Sequence, residues 1–151
     1  MNISGEYEVR SPQEVVWAVL NDPESLKNCI PGAKTLKEIA PGKFDVMMSV
    51  GIGMIRGEFT GTVEMSEVRE PDSHKLTMSG KGPGGWLEGA GTIALSVDEA
   101  HADRTKIVVV GEATVGGLLA RVGQRMLGGA ANTLMKQFFG NVAKEAKKRE
   151  G

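Results

Sequence analysis

Between Ala33 and Val115 the chain alternates apolar and polar residues with a period of two, which restricts it to a β-rich architecture. The clearest run places Ile55, Gly57, Phe59, Gly61, Val63 and Met65 on one side and Arg56, Glu58, Thr60, Thr62 and Glu64 on the other. Successive side chains of a pleated strand point to opposite faces, so this is the pattern of a half-buried strand. Phe44, Val46, Met48 and Val50 alternate in the same way against Asp45 and Ser49, and Leu76, Met78 and Gly80 share one face. Leu87, Gly89, Gly91, Ile93, Leu95 and Val97 stand opposite Glu88, Thr92 and Ser96. A last strand runs from about Thr105 to Val115, with Glu112 and Thr114 on its wet face. Pro41-Gly42, Pro71-Asp72 and Gly82-Pro83-Gly84-Gly85 supply the turns. Connections this short favour an antiparallel meander.

The flanks complete the architecture. Ile3, Gly5, Tyr7 and Val9 alternate with Glu6, Glu8 and Arg10, predicting a first strand. Ser11-Pro12-Gln13-Glu14 reads as a capping box opening a short helix packed through Val16, Trp17 and Leu20. Asp22-Pro23-Glu24 starts a second short helix, which ends before Ile30-Pro31-Gly32. From about Leu118 to Lys148, the residues Leu119, Val122, Met126, Ala130, Leu134, Phe138 and Val142 form a helical stripe facing the sheet. The expectation is an α+β fold in a single domain spanning 1–151. It consists of a curved antiparallel sheet of about seven strands, two short helices after the first, and a long C-terminal helix packed over the sheet.

Charge and cysteine usage exclude several roles. Lys plus Arg is 18 and Asp plus Glu 19, a net charge of −1, so there is no basic surplus to attract nucleic acid. No stretch approaches the roughly 20 apolar residues that span a bilayer. The first ten residues lack the apolar centre of a signal peptide. Cys29 is the only cysteine, so neither an internal disulfide nor a thiolate cluster can form. These features predict a cytoplasmic protein.

The 21 glycines carry the functional reading. Gly57, Gly61, Gly80, Gly89, Gly91 and Gly111 fall on the inferred inner face, where glycine weakens a strand and packs nothing. Glycine lets a sheet curl around a helix, and it also leaves space. Both accounts stand. If space is left, Phe59, Gly61, Met65, Met78, Gly91, Ile93, Leu95 and Val109 line it from the sheet. Leu119, Val122 and Met126 would line it from the helix, making an apolar site for a lipophilic ligand. Gly123, Gly128, Gly129 and Gly140 each weaken a helix interior by about 1 kcal/mol relative to alanine. Close helix-to-sheet contact accounts for them, and the sharper alternative is a kink or gate beside Gly128-Gly129. Trp86 either narrows the mouth of such a cavity or lies outside it.

Catalytic groups are missing from the predicted inner face. His74, in an expected turn, and His101, in a polar loop, read as surface residues. No His, Cys or carboxylate spacing suggests a metal, and Cys29 reads as a small core residue. Tyr7 is the only inward candidate and reads as core. The run GKGPGGWLEGAG joins two strands, whereas a phosphate cradle ends in a helix.

The order of elements resembles the START-related helix-grip (SRPBCC) superfamily. Within it, the segment from Pro12 to Leu26, Cys29-Ile30-Pro31-Gly32, Gly57-Glu58-Phe59-Thr60-Gly61 and Gly80-Lys81-Gly82 resemble the family of the carbon monoxide dehydrogenase G-subunit. So does the tail Val115-Gly116-Gly117 with Gly123, Leu127 and Phe138-Phe139, so the resemblance spans nearly the whole chain. It implies an apolar pocket under the long helix and an accessory role beside molybdenum hydroxylases of the carbon monoxide dehydrogenase type. It also implies handling of quinone, the candidate bound ligand in the absence of any cofactor, and recruitment of that enzyme to the membrane. Many members carry a hydrophobic tail after the helix, whereas this sequence runs out at Lys147-Lys148-Arg149-Glu150-Gly151. The expectation is therefore weak peripheral contact at the cytoplasmic face, through Lys144, Lys147, Lys148 and Arg149.

The leading expectation is a non-catalytic accessory protein holding a lipophilic ligand. Two other classes remain: a polyketide-cyclase-like or hydrolase-like enzyme of the same superfamily, and an adaptor that recruits a partner to a membrane without a ligand.

Overall fold

The alternating segment forms six consecutive antiparallel strands in a computed structural model that describes residues 1–151. These are β2 (Ala33–Ala40), β3 (Lys43–Ile52), β4 (Ile55–Arg69), β5 (Ser73–Gly82), β6 (Gly85–Asp98) and β7 (His101–Gly117). The first strand, β1 (Asn2–Val9), pairs with β7, giving one open seven-stranded sheet of order β1-β7-β6-β5-β4-β3-β2. Helices α1 (Gln13–Asn21) and α2 (Pro23–Cys29) connect the two edge strands. A 3-10 turn (Leu118–Val122) leads into α3 (Gln124–Glu150), which packs on α1, α2 and β1. No helix is long and apolar enough to cross a membrane.

Two helix starts differ from expectation. Ser11 does not cap α1. Pro12 occupies the cap position without a side-chain bond, and the Ser11 hydroxyl donates to Glu150 Oε2 at 2.9 Å. The Ser11 carbonyl accepts from Thr105 Oγ1 at 2.7 Å, so this residue ties the start of α1 to β7 and to the end of α3. Asp22 does cap α2, accepting from the Glu24 amide at 3.3 Å. The long helix begins at Gln124 rather than Leu118, because Gly117 (φ 68°) and Gly123 (φ 96°) adopt conformations that break a right-handed helix on either side of the 3-10 turn.

The core is split. A large cluster joins Val9, Val16, Trp17, Leu20, Ile93, Leu95, Ile107, Phe139 and Val142 at the end covered by α1, α2 and the C-terminal half of α3. A small one joins only Ile55, Leu127 and Ala130 at the other end of the helix. Polar ties concentrate at the first end: Asn141 Nδ2 donates to the Cys29 carbonyl and Asn28 Nδ2 to Glu145 Oε1, both at 3.0 Å. Arg149 pairs with Asp22.

Candidate functional site

The register of the ladders assembles the inner face row by row. Val46, Gly61, Gly80, Leu87 and Val115 lie side by side across β3 to β7. The next row is Phe44, Val63, Met78, Gly89 and Ala113, and beyond it Met65, Leu76, Gly91, Gly111 and Ile3. Glycines from neighbouring strands therefore meet in pairs. A Cβ on Gly61 would lie 2.1 Å from the Ser79 carbonyl oxygen, and one on Gly111 would lie 2.7 Å from that of Ala90. Such strands approach too closely for a side chain, so at Gly61 and Gly111 glycine shapes the sheet.

The same rows leave an apolar trough. Val46, Met48, Val63, Met65 and Met78 belong to neither core cluster, and all keep part of their surface accessible although they face inward. Met78 is 41% exposed. Ala131, Leu134 and Met135 of α3 are likewise only half-buried and belong to neither core cluster. Contiguous accessible apolar surface of this kind is typical of ligand-binding grooves and interaction sites. A pocket of about 160 Å³ lies between β1 and α3, lined by Asn2, Ile3, Ser4, Gly128, Ala131 and Asn132. A wider open groove of about 560 Å³ lies mainly on the outer face among Thr62, Glu64, Ser79, Glu88, Glu112 and Thr114, and Met78, Gly89 and Ala113 of the inner rows also line it.

The sequence-predicted site residues separate into groups. Gly61, Met65, Met78 and Gly91 lie in the stretch between the two cores. Phe59, Leu119 and Val122 pack against the small cluster at one end of it. Ile93 and Leu95 are part of the large cluster at the other end, with Val109 against it. Met126 stands at the rim, 41% exposed and beside Gly53. Val46, Met48 and Val63 join the trough in addition to the predicted residues; the alternation places them inward, but only the register shows that they face the glycine rows. Trp86 lies on the outer face, against Gly116, its partner in register.

Two titratable residues sit on the inner faces of β1 and β3 to β7: Tyr7 and His74. Tyr7 stacks on Phe139 with centroids 4.5 Å apart, and burial raises its pKa. His74 corrects the surface reading. It is 2% exposed, faces Ile93 in register and meets Trp17 edge-on at 5.4 Å. Neither ring nitrogen has a hydrogen-bond partner, and burial holds its pKa below the ordinary 6.5, offset in part by the Lys75 backbone. The Cys29 thiol is pushed up to about 12 by burial and by the charge of Glu145. It is therefore not a nucleophile at neutral pH. No group of three or more His, Cys, Asp or Glu residues gathers as a metal site.

A curved antiparallel sheet gripped by a C-terminal helix defines a START-type helix-grip protein. The chain is similar in fold to a START superfamily protein from Mycobacterium smegmatis (14% identity, 97% of each chain covered, TM-score 0.74). It is likewise similar to the ZhuI aromatase/cyclase from Streptomyces sp. R1128 (16%, 100% and 96% covered, TM-score 0.72). The family model for CoxG, the G-subunit of carbon monoxide dehydrogenase, matches residues 5–147, and the chain belongs to that family. A conserved protein from Geobacillus kaustophilus is similar at 34% identity over 98% of this chain and 96% of that one, with a TM-score of 0.92. No curated protein matches.

Proposed function

We propose that the protein is a non-catalytic accessory carrier that holds a neutral lipophilic molecule, a quinone or another lipid, in the trough between the sheet and α3. The observation that carries this reading is the wet, apolar inner surface between two separate cores. Methionines at 48, 65 and 78 suit a site that adapts to its contents. Membership of the CoxG family supports service to a molybdenum hydroxylase of the carbon monoxide dehydrogenase type. Contact with an anionic membrane through the end of α3 is weak in this reading. Lys148 is paired with Glu145, Arg149 with Asp22 and Lys147 with Glu150, which leaves Lys144 as the cation without an ion pair there.

Cyclase-like chemistry is less well supported. A general acid or base must reach the substrate, whereas Tyr7 is packed on Phe139 and the His74 nitrogens are buried. Titrating a menaquinone or ubiquinone analogue should quench tryptophan fluorescence saturably and raise the melting temperature by mass action. Tyr7→Phe should leave that response intact. Absence of a shift with several quinones, fatty acids and isoprenoids would overturn the carrier reading. Affinity capture from a cell that makes a molybdenum hydroxylase tests the partner.

A further inference from the structure

The two edges of the sheet are finished differently. Edge strand β2 is interrupted by register shifts between Ala33 and Thr35 and between Glu38 and Ala40, carries exposed Lys34 and Lys37, and packs against α2. Bulges and lysines of this kind keep an edge from pairing with another chain. Edge strand β1 lacks them. It runs from Asn2 to Val9 in unbroken register with β7 and contains neither lysine nor proline. Its acidic residues, Glu6 and Glu8, reach Lys106 and Arg104 of β7 at 3.8 and 3.6 Å.

The phase of the ladder fixes which backbone groups of β1 are free. The Met1 ammonium donates to the Ala113 carbonyl and the Ala113 amide to the Met1 carbonyl, both at 2.9 Å. In an antiparallel pair such exchanges recur at every second residue, so Ile3, Gly5, Tyr7 and Val9 bond to β7. The N–H and C=O groups of Asn2, Ser4, Glu6 and Glu8 point the other way, and no turn, loop or cap bond reaches them. All four residues are exposed. The space beside them is open as well. The pocket of about 160 Å³ separates Asn2, Ile3 and Ser4 from Gly128, Ala131 and Asn132 of α3. A Cβ on Gly128 or Gly129 would meet nothing within 4 Å, so contact with the sheet does not explain these glycines. At Gly128 the helix is instead trimmed where it passes the edge.

We propose that β1 is the seam of a homodimer, in which two copies pair antiparallel through this strand about a twofold axis at Gly5 and join their sheets. A second copy fits the edge better than a loose peptide, because its β1 is already extended and loses little backbone entropy on docking. In the register centred on Gly5, Ser4 faces Glu6 of the second copy and Asn2 faces its Glu8. All four free residues of each copy then exchange backbone bonds, and every glutamate stands directly opposite a neutral side chain. On the inner face Ile3 meets Tyr7 of the second copy, an aromatic and β-branched pair of the kind that stabilises sheets. Sliding the strands one bonding pair in one direction sets Glu6 against Glu6, and like charges directly opposite are destabilising. Sliding them the other way leaves Glu8 without a partner. The contact is isologous and closes at two chains, and the guarded β2 edge stops the joined sheet from growing. The seam does not depend on what the trough holds.

Sedimentation velocity on the full chain tests the seam. The mass should rise from one chain to two between low-micromolar and near-millimolar concentration. Ser4→Pro removes one seam donor from each copy, on an edge where proline is tolerated. It should weaken association by about tenfold or more and leave the circular dichroism spectrum unchanged. The two Ser4 residues lie diagonally across the axis, roughly 7–8 Å apart. Ser4→Cys should therefore be linked into a covalent dimer by bismaleimidoethane, whereas Thr35→Cys on β2 should not, and the buried Cys29 stays silent in both. A chain that remains monomeric at every concentration would overturn the seam and leave the edge to a strand of a different protein. So would a dimer that Ser4→Pro leaves as strong as before, or assembly beyond two chains. If the proline variant does not fold, the cross-link decides: a product selective for the Ser4 variant supports the seam, and equal yields from the two cysteine variants overturn it.

Discussion

Gly61 faces Gly80 across the β4–β5 ladder, yet the two positions are not equivalent. A Cβ on Gly61 would lie 2.1 Å from the Ser79 carbonyl oxygen, whereas one on Gly80 would find its nearest neighbour, the Thr60 carbonyl oxygen, at an ordinary 3.5 Å. Gly61→Ala should therefore destabilise the protein by about 1–3 kcal/mol, as overpacking does. Gly80→Ala should be neutral or stabilise by about 0.4–1 kcal/mol through the unfolded chain. Denaturation midpoints of the two single variants measure the contrast. Equal midpoints would mean that the ladder relaxes freely at Gly61. Gly80→Leu tests the space itself: it should lower affinity for a quinone analogue more than it lowers the apo midpoint.

The buried imidazole of His74 predicts an acid-sensitive step. Its folded-state pKa lies below 6.5, so as the pH falls from about 6.5 toward that lower value the unfolded chain takes up a proton the folded one refuses. The stabilisation is complete above the unfolded pKa and declines on acidification by up to about 1.4 kcal/mol per pH unit within the window. His74→Leu should flatten the stability profile between pH 5 and 7. It should also stabilise the protein at pH 7 by about 1 kcal/mol, since two unsatisfied nitrogens leave the core. Chemical denaturation across that pH range measures both effects, and a parallel profile in the variant would contradict the assignment.

Glu145 provides a tie of opposite sign. Its pKa is lowered, first by the hydrogen bond from Asn28, then by that from Lys148, against the opposing effect of burial. A carboxylate of this kind stabilises the fold above its unfolded pKa and ceases to do so as the pH falls through the lower folded value. Asn28→Ala should cost about 1.5–3 kcal/mol at pH 7, the range for a hydrogen bond to a charged group. The loss should shrink in acid, where Glu145 is protonated in both states. A loss that does not shrink at all as the pH is lowered through the titration of this carboxylate would assign the effect to packing of α2 instead.

Cys29 should be silent toward thiol reagents in the native protein. Its side chain is fully buried and its thiol titrates near 12, so both access and thiolate are lacking. Labelling by a chromogenic disulfide should follow global unfolding with denaturant concentration. Fast labelling in native buffer would show that α2 opens independently.

The meander and its faces were legible in the sequence because alternation and turn residues are local signals. The misses share a cause: each depends on a partner remote in the chain or on backbone geometry. Ser11 carries the local signature of a cap, but Glu150 and Thr105 claim its polar groups. His74 extends the alternation of Leu76, Met78 and Gly80 back by one step, and its neighbouring turn residues concealed this. The helix start at Gln124 depends on the positive φ of Gly123, which the apolar stripe through Leu119 and Val122 does not reveal. At the site, composition could say that the inner face is poor in side chains. Which glycines hold strands together and which leave room is decided by distances of a few tenths of an ångström.

The divided core has a calorimetric consequence. Only 22 of 151 residues are buried, so much of the apolar surface that a chain of this length would hide is still hydrated before anything binds. The heat-capacity change of unfolding of the empty protein should then fall below the usual value of about 12–15 cal/mol/K per residue. An occupant of the trough would dehydrate the remainder, giving association a negative heat-capacity change. The bound molecule would thus act as the missing middle of the protein's own interior, and the thermal stability curve would change its curvature as well as its height.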